Sequence, residues 1–211
     1  MASLALLRRD AFVAKHECAC DVIQRNSTES NRMNVTKEMV WYDYLSTPIG
    51  KLLLAADEKG LREVWFETGK HKKEPHPTWQ RNATKVAFAA KQLNEYFAGE
   101  RQQFDLPLHP MGTPFQMSVW KALAKIPYGT TISYGEMARR IGQPQAVRAV
   151  GAANGQNPIP IVLPCHRVIG ADGSLTGFGG GLPTKRFLLA MEDQVARGDL
   201  FGHGAQRQWA D

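Results

Sequence analysis

Cysteine is scarce in this sequence, with three residues among 211, at positions 18, 20 and 165. So few thiols argue against a disulfide framework and favour a reducing compartment. Long apolar runs are also missing, because no stretch approaches the length that a membrane span needs. We therefore expect a soluble protein in the cytoplasm, or in the nucleus if the chain is eukaryotic.

Acidic residues are few in the second half of the chain. Between Pro110 and Ala190 there are two, Glu136 and Asp172, against eight basic residues. This local excess equals the net charge of +6 that the whole chain carries. The basic residues are Lys121, Lys125, Arg139, Arg140, Arg148, Arg167, Lys185 and Arg186. Such an excess suits a polyanionic partner, although many basic proteins bind nothing acidic.

The pattern along the chain changes several times. The predicted divisions are a poorly ordered extension at 1–38, a small α/β domain at 39–105, a second domain at 110–192 and a tail at 193–211. The extension shows no sustained apolar period. Its His16, Cys18 and Cys20 are potential metal ligands, but a fourth ligand is missing nearby, so we expect no metal site.

The first domain alternates apolar and polar residues with period two, and turns that contain proline or glycine separate the alternating runs. The predicted strands are Trp41–Ser46, Lys51–Ala56 and Leu61–Phe66. Apolar residues then recur at helical spacing up to Phe97, and Gly99 is a stop signal. The segment Phe104–Pro110 is interpreted as a linker.

The second domain begins with helix signals. Capping boxes predict helix starts at Thr113 and at Ser133. A third helix is predicted over Gln145–Ala153, after a stop at Gly142 and a start at Pro144. Two short helices joined by a tight turn that contains glycine are typical of a helix-turn-helix, although such pairs often serve packing alone.

The stretch Ile159–Ile169 presents a thiol in an unusual way. Pro164 donates no ladder hydrogen bond and fixes its own φ, so a strand predicted through Ile161–Leu163 should end there and place Cys165 at a rigid turn. His166 can take the proton that the thiol must lose, because the thiolate is the reactive species. Since adjacent side chains rarely face each other, we expect a water molecule between them.

The run Pro164–Val168, Pro-Cys-His-Arg-Val, resembles the active-site motif of the O6-alkylguanine-DNA alkyltransferases. The resemblance implies a monomeric DNA repair protein that flips O6-alkylguanine out of duplex DNA from the minor groove, and it leaves open whether O4-alkylthymine is a second substrate. The alkyl group would pass irreversibly to Cys165, without a cofactor or metal. The implied fold class is α/β (α+β), with a small N-terminal ribonuclease H-like α/β domain followed by a winged-helix-like C-terminal domain with a helix-turn-helix.

The resemblance also implies a role for each residue of a catalytic group. Glu192 would orient His166, and the pKa of the Cys165 thiol would fall as a result. The turn at Asn157 would join the recognition helix to the active-site strand. Tyr134 would crowd the target phosphate and face guanine N3. The implied catalytic residues are Cys165, His166, Glu192, Asn157 and Tyr134.

Further residues are implied to contact DNA and the flipped base. Arg148 is the only long polar side chain on a helix of small residues, and the resemblance gives it the space of the extruded nucleotide. The implied DNA-binding residues are Arg148, Tyr134, Ala146, Ala149 and Gly151. The implied pocket residues are Pro160, Val168, Phe178 and Gly179. Phe178 would stack on the base, and Gly179 would leave room for bulky lesions.

The residues alone leave two other functions open. A cysteine hydrolase could use backbone N–H groups of the glycine-rich segment 172–181 as an oxyanion hole, but it would leave Arg148 and the helix pair unexplained. A non-catalytic lesion-binding relative of the same family would not need Cys165. Without the resemblance, Asn157 could simply form an Asn-Pro turn. Glu192 could likewise be a solvated residue near the end of a helix.

Overall fold

The computed structural model describes residues 38–67 and 73–198. Most of the predicted extension, including His16, Cys18 and Cys20, lies outside the described residues, as does the end of the predicted tail. Among the described residues, no helix is both long and apolar enough to cross a membrane.

A four-stranded sheet forms the N-terminal half. Strands β1 (Trp41–Thr47), β2 (Gly50–Asp57) and β3 (Gly60–Phe66) run antiparallel in succession. The short strand β4 (Gln80–Arg81) pairs in parallel with β1, which gives the order β3-β2-β1-β4. The three strands predicted from period-two alternation are therefore confirmed, to within a residue or two at their ends.

Helix α1 (Ala83–Phe97) packs one face on this sheet, as its apolar spacing predicts. The Asn82 side chain accepts a hydrogen bond from Lys85 N and so caps the first turn. The helix gives way to a left-handed residue at Gly99, with φ of 75°. Its buried side chains are Val86, Ala89, Leu93 and Tyr96.

The segment predicted as a linker packs against β3. Leu61 N donates to Pro107 O at 2.8 Å, and His109 N donates to Leu61 O at 2.8 Å. This approach requires glycine at position 60, because a Cβ there would lie 2.3 Å from Pro107 O. The connection between the two halves is therefore held along the edge of the sheet.

The C-terminal half is mostly helical. Its elements are α2 (Pro114–Leu123), β5 (Ile132–Ser133), α3 (Tyr134–Arg140), α4 (Val147–Gly155), β6 (Val168–Ile169) and α5 (Leu182–Arg197). β5 and β6 pair in parallel beside the helices. The capping box predicted at Thr113 is present, with both reciprocal hydrogen bonds. The predicted mixed fold, with a sheet domain followed by a helical domain, is confirmed.

Three local predictions are wrong in detail. Helix α4 begins at Val147, because Pro144 and Gln145 form a turn and Ala146 becomes an N-cap without a side-chain hydrogen bond. Only half of the capping box at Ser133 forms, since the Glu136 carboxylate pairs with the arginines that follow it. Helix α5 continues to Arg197, beyond the predicted start of the tail at residue 193.

Candidate active site

The backbone before Cys165 is a closed loop held by one asparagine. Asn157 Nδ2 donates to Leu163 O at 2.7 Å, and Asn157 Oδ1 accepts from Ile159 N at 3.0 Å. Leu163 N also donates to Ile159 O at 2.9 Å. One buried amide therefore satisfies polar groups at both ends of the loop that precedes the cysteine.

The prediction of a strand through Ile161–Leu163 is wrong, because these residues form a turn. Ile161 has a φ of 75°, a left-handed conformation that β-branched residues seldom adopt. The prolines at 158, 160 and 164 remove ladder donors, so the segment turns. Such a residue costs on the order of 1–3 kcal/mol and persists where its surroundings hold it. Cys165 follows at the start of a 3₁₀ turn, Cys165–Arg167.

The Cys165 thiol is 5% exposed. Burial raises the pKa of this thiol to about 11. A hydrogen bond from Asn157 and the positive charge of Lys185 lower the pKa, but their effect is smaller than that of burial. The sequence led us to expect a lowered pKa, but that expectation left out desolvation. In the protein without DNA, Cys165 is therefore a protonated thiol near neutral pH, and its proton has to leave during any reaction.

His166 is fully buried and faces a carboxylate. Its Nε2 donates to Glu192 Oε1 at 2.8 Å, which leaves Nδ1 as the acceptor of the neutral ring. Burial lowers the pKa of His166, although Glu192 raises it, so the ring is neutral near pH 7. Nδ1 is buried and has no hydrogen-bond partner among the described residues. The ring is thus a base with one free lone pair, located next to Cys165 in the chain.

Glu192 is the centre of a buried hydrogen-bond network. Arg167 donates to both carboxylate oxygens at 2.9 Å, and Gly129 N donates to Oε2 at 3.2 Å. Tyr96 OH, from helix α1, donates to Oε1 at 2.7 Å. Burial alone would raise the pKa of Glu192, but His166 and Arg167 hold it well below its usual range. Glu192 is therefore a fixed carboxylate, not a solvated helix end.

Lys185 is a second buried cation near the thiol. Its Nζ donates to Val168 O at 2.7 Å and to Thr176 O at 2.9 Å, which ties the glycine-rich segment to β6. Burial lowers the pKa of Lys185 to about 8. The resemblance places Val168 in the substrate pocket, but Val168 is 0% exposed and belongs to the core. Its contribution is the carbonyl that holds Lys185.

A small cavity lies against Cys165, with a volume of about 20 Å³. Three residues that the resemblance implies for the pocket, Pro160, Phe178 and Gly179, line it together with Asn157. Trp65 and Phe66 of strand β3 also line it. The full lining is Trp65, Phe66, Asn154, Gly155, Asn157, Pro160, Cys165, Gly177, Phe178 and Gly179.

A wider groove of about 450 Å³ opens beside this cavity, between helix α4 and the glycine-rich segment. Tyr134 stands in it, and its hydroxyl oxygen accepts from Thr176 Oγ1 at 3.2 Å. Asn154 is a second hydrogen-bond partner of this phenol. Burial raises the pKa of Tyr134, so the phenol stays protonated near neutral pH. The groove is lined by Tyr134, Val147, Gly151, Gly155, Thr176, Gly177, Phe178 and Gly179.

Helix α4 presents small residues and one arginine to solvent. Arg148 and Ala149 are exposed, and Ala146 is half-buried at the N-cap. Within the described part of the chain, Arg148 makes no hydrogen bond or ion pair. Gly151 lies beside Tyr134, since a Cβ at this position would be 3.9 Å from the ring. The opposite face of the helix is buried through Val150, Ala153 and Asn154.

Several residues of the site are not evident from the sequence. Arg167 lies in the Pro164–Val168 motif and adds to the basic excess, but it is 5% exposed and paired with Glu192. Lys185 adds to the same excess and is 0% exposed. Tyr96 and Phe66 fit the apolar patterns of the first domain, and nothing in the local sequence indicates that they reach the site.

Two protein-family models match this chain. The model of the "6-O-methylguanine DNA methyltransferase, ribonuclease-like domain" matches residues 40–110. The model of the "6-O-methylguanine DNA methyltransferase, DNA binding domain" matches residues 114–194. The two matches together cover most of the residues that the structure describes.

Curated relatives and solved structures agree with these matches. The methylated-DNA–protein-cysteine methyltransferase of Methanosarcina barkeri is 52% identical over 158 residues, which are 75% of this chain and 100% of the relative. The Mycobacterium tuberculosis protein of the same name is 50% identical over 163 residues, 77% of this chain and 98% of the relative. A crystal structure of M. tuberculosis O6-methylguanine methyltransferase is 51% identical, covers 74% of this chain and 94% of its own, and has a TM-score of 0.69. A structure of the M. tuberculosis protein in complex with DNA also has a TM-score of 0.69, at 48% identity, with coverage of 74% and 94%.

Proposed function

The chain belongs to the 6-O-methylguanine DNA methyltransferase family, and from this premise we propose that it repairs DNA by moving the alkyl group of O6-alkylguanine to its own Cys165. The observation that carries the proposal is a buried thiol that shares a cavity with Asn157, Phe178 and Gly179, beside a buried histidine–glutamate pair. In chemical class the protein is a methylated-DNA–[protein]-cysteine S-methyltransferase.

The reaction is a displacement at the alkyl carbon. The sulfur of Cys165 forms a bond to this carbon while the bond from the carbon to O6 breaks. The electron pair of that bond stays with the guanine, so the base leaves more easily when a ring nitrogen is hydrogen-bonded. Tyr134 is suited to this role, because its phenol lines the groove and stays protonated near neutral pH.

The proton of Cys165 leaves through His166. With a pKa of about 11, the thiol gives up little thiolate on its own, so a base has to take the proton as attack begins. His166 Nδ1 is that base, and a bridging water would connect it to the sulfur and satisfy its lone pair. Glu192 then stabilises the imidazolium through Nε2. The proton returns to the guanine ring as product forms.

The target nucleotide has to leave the duplex before this chemistry can occur. A thiol that is 5% exposed at the end of a closed loop cannot reach a base that stays stacked. We assign Phe178 and Gly179, which line both the small cavity and the wider groove, to the flipped base, Pro160 to the group attached at O6, and Arg148 to the vacated stack. Ala146, Ala149 and Gly151 let helix α4 approach the DNA closely, because their side chains are small.

Repair should consume the protein. Removing a methyl group from a thioether needs a strong nucleophile or a cofactor, and the proposal involves neither. The test is to mix the protein with an excess of duplex that contains O6-methylguanine and to measure the guanine restored. We expect at most one guanine per protein molecule. Repeated turnover by one protein molecule would contradict the proposal.

Binding to undamaged duplex should depend on salt but not on sequence. Arg167 and Lys185 are buried, and Arg139 and Arg140 already pair with Glu136, so only part of the basic excess between Pro110 and Ala190 contacts phosphates. Each contact adds about 0.9 to the slope of log affinity against log salt, so we expect a slope of about −2 to −5. Fluorescence anisotropy with labelled duplex across a salt series measures it. An affinity that stays flat as salt rises would contradict this electrostatic account, as would one that a chelator abolishes.

The cellular location is a further part of the proposal. The curated relatives named above come from an archaeon and a bacterium, whose DNA lies in the cytoplasm. A reactive thiol also needs reducing surroundings. We therefore propose that the protein acts in the cytoplasm, as a monomer on duplex DNA.

A further inference from the structure

The cavity beside Cys165 is built by both halves of the protein. The C-terminal half supplies the thiol, Pro160 and the segment Gly177–Gly179, while β3 of the N-terminal sheet supplies Trp65 and Phe66. Its volume of about 20 Å³ leaves room for roughly one water-sized group. A methyl group is close to that size, whereas an aromatic ring is several times larger.

Phe66 is one of the two β3 residues that line this cavity, and its ring contacts the glycine-rich segment. It is 5% exposed, and its ring meets the Phe178 ring edge-on at a centroid distance of 5.4 Å. A Cβ on Gly180 would lie 3.0 Å from three atoms of the Phe66 ring. The glycine-rich segment therefore packs against Phe66 so closely that even a methyl group at position 180 would crowd it.

The backbone of β3 holds Phe66 in place. Two residues earlier, Val64 N donates to Pro158 O at 2.8 Å, in the loop that leads to Cys165. Phe66 itself pairs with Leu52 across the sheet. Because the strand is bonded to the active-site loop on one side and to β2 on the other, the backbone that carries the ring is fixed.

We propose that Phe66 sets the size of the alkyl group that the protein accepts. The inference rests on the proposed function and extends it to substrate choice. The resemblance led us to expect that Gly179 leaves room for bulky lesions, but the Phe66 ring lines the same cavity and packs against both chain neighbours of Gly179. A larger group enters only if Phe66 and Phe178 move together, so methyl transfer is favoured over benzyl transfer.

The test compares two duplexes of one sequence, one with O6-methylguanine and one with O6-benzylguanine. The ratio of the benzyl rate to the methyl rate is measured for each variant under single-turnover conditions. We expect Phe66→Ala to raise this ratio by about tenfold or more, in line with the discrimination that a few methylene groups give in an apolar pocket. Phe66→Trp should lower it.

Phe88→Ala is the matched control, since Phe88 is a partly buried phenylalanine of helix α1 that packs on the same core but does not line the cavity. Its ratio should equal that of the wild type. Phe66→Leu is a milder change in case Phe66→Ala does not fold, and it should raise the ratio less. An unchanged ratio in the folded Phe66 variants would overturn the inference while leaving the proposed function intact. If the wild type transfers neither group, the proposed function fails, and the inference with it.

Discussion

Replacing His166 with alanine is expected to slow methyl transfer by on the order of a hundredfold or more, because general bases contribute that much to proton-coupled attack. Burial holds the pKa of Cys165 at about 11, so without a base almost no thiolate forms near neutral pH. DNA binding should persist, since His166 is 0% exposed and cannot touch the duplex. A single-turnover assay at saturating duplex measures the rate separately from affinity.

Two further variants sharpen this prediction. Glu192→Gln should fall between His166→Ala and the wild type, because an amide oxygen can still orient the ring but carries no charge. It also leaves Arg167 without its buried partner, at a cost of about 3–5 kcal/mol, so its thermal unfolding has to be measured alongside the rate. His109→Ala removes another buried histidine, outside the site, and should keep the wild-type rate.

The raised pKa of the Cys165 thiol determines how the methyl-transfer rate of His166→Ala changes with pH. The thiolate fraction of His166→Ala should increase as pH rises towards about 11, so its residual rate should climb with pH. A small alkylating reagent gives the same information without DNA. The relay is wrongly assigned if Cys165 reacts as fast in His166→Ala as in the wild type near neutral pH.

Arg148→Ala is expected to slow repair of O6-methylguanine in duplex DNA by about tenfold or more, since each 1.4 kcal/mol is a factor of ten. Flipping a nucleotide costs a few kcal/mol, and the guanidinium can offset this cost by filling the vacated stack. Arg148 is exposed on α4 and makes no ion pair with the described residues, so it is available for this role. The alanine side chain would leave a hole.

A free O6-alkylguanine base separates flipping from chemistry, because it needs no extrusion. Its reaction with Arg148→Ala should proceed at nearly the wild-type rate. Arg81→Ala removes another exposed arginine, paired with Asp43 in the N-terminal half, and should change neither reaction. Equal losses on duplex and free base would mean that Arg148 supports the fold or the pocket instead of flipping.

Local sequence patterns predicted the elements of the fold well. Alternation and turn residues were sufficient for β1 and β3, whereas β2 is buried on both faces from Leu52 to Ala56 and was recognised from the turns at its ends. The Ile161–Leu163 strand failed because apolar character alone does not distinguish a strand from a buried turn, and the three prolines decide between them. Helix α4 began later than predicted because Pro144 fits a turn as well as a helix start.

Only those site residues that belong to a recognisable motif could be predicted from the sequence. Cys165, His166 and Glu192 follow from the resemblance, but the partners that hold them come from distant parts of the chain. Tyr96 lies 96 residues before Glu192, and its helical spacing accounts for it as an ordinary core residue. Arg167 and Lys185 look like surface charges in the sequence, and only burial shows that they belong to the interior. The raised pKa of Cys165 has the same origin, because desolvation depends on the packed fold.

The measurement that tests the account most directly is the mass of the protein and its peptides after reaction with duplex that contains O6-methylguanine. The account predicts that one methyl group is added per molecule, on the peptide that carries Cys165, as guanine appears in the DNA. Cys165→Ser should bind the same duplex and gain no methyl group. A methyl group on Cys18 or Cys20, or restored guanine with Cys165 unmodified, would contradict the account.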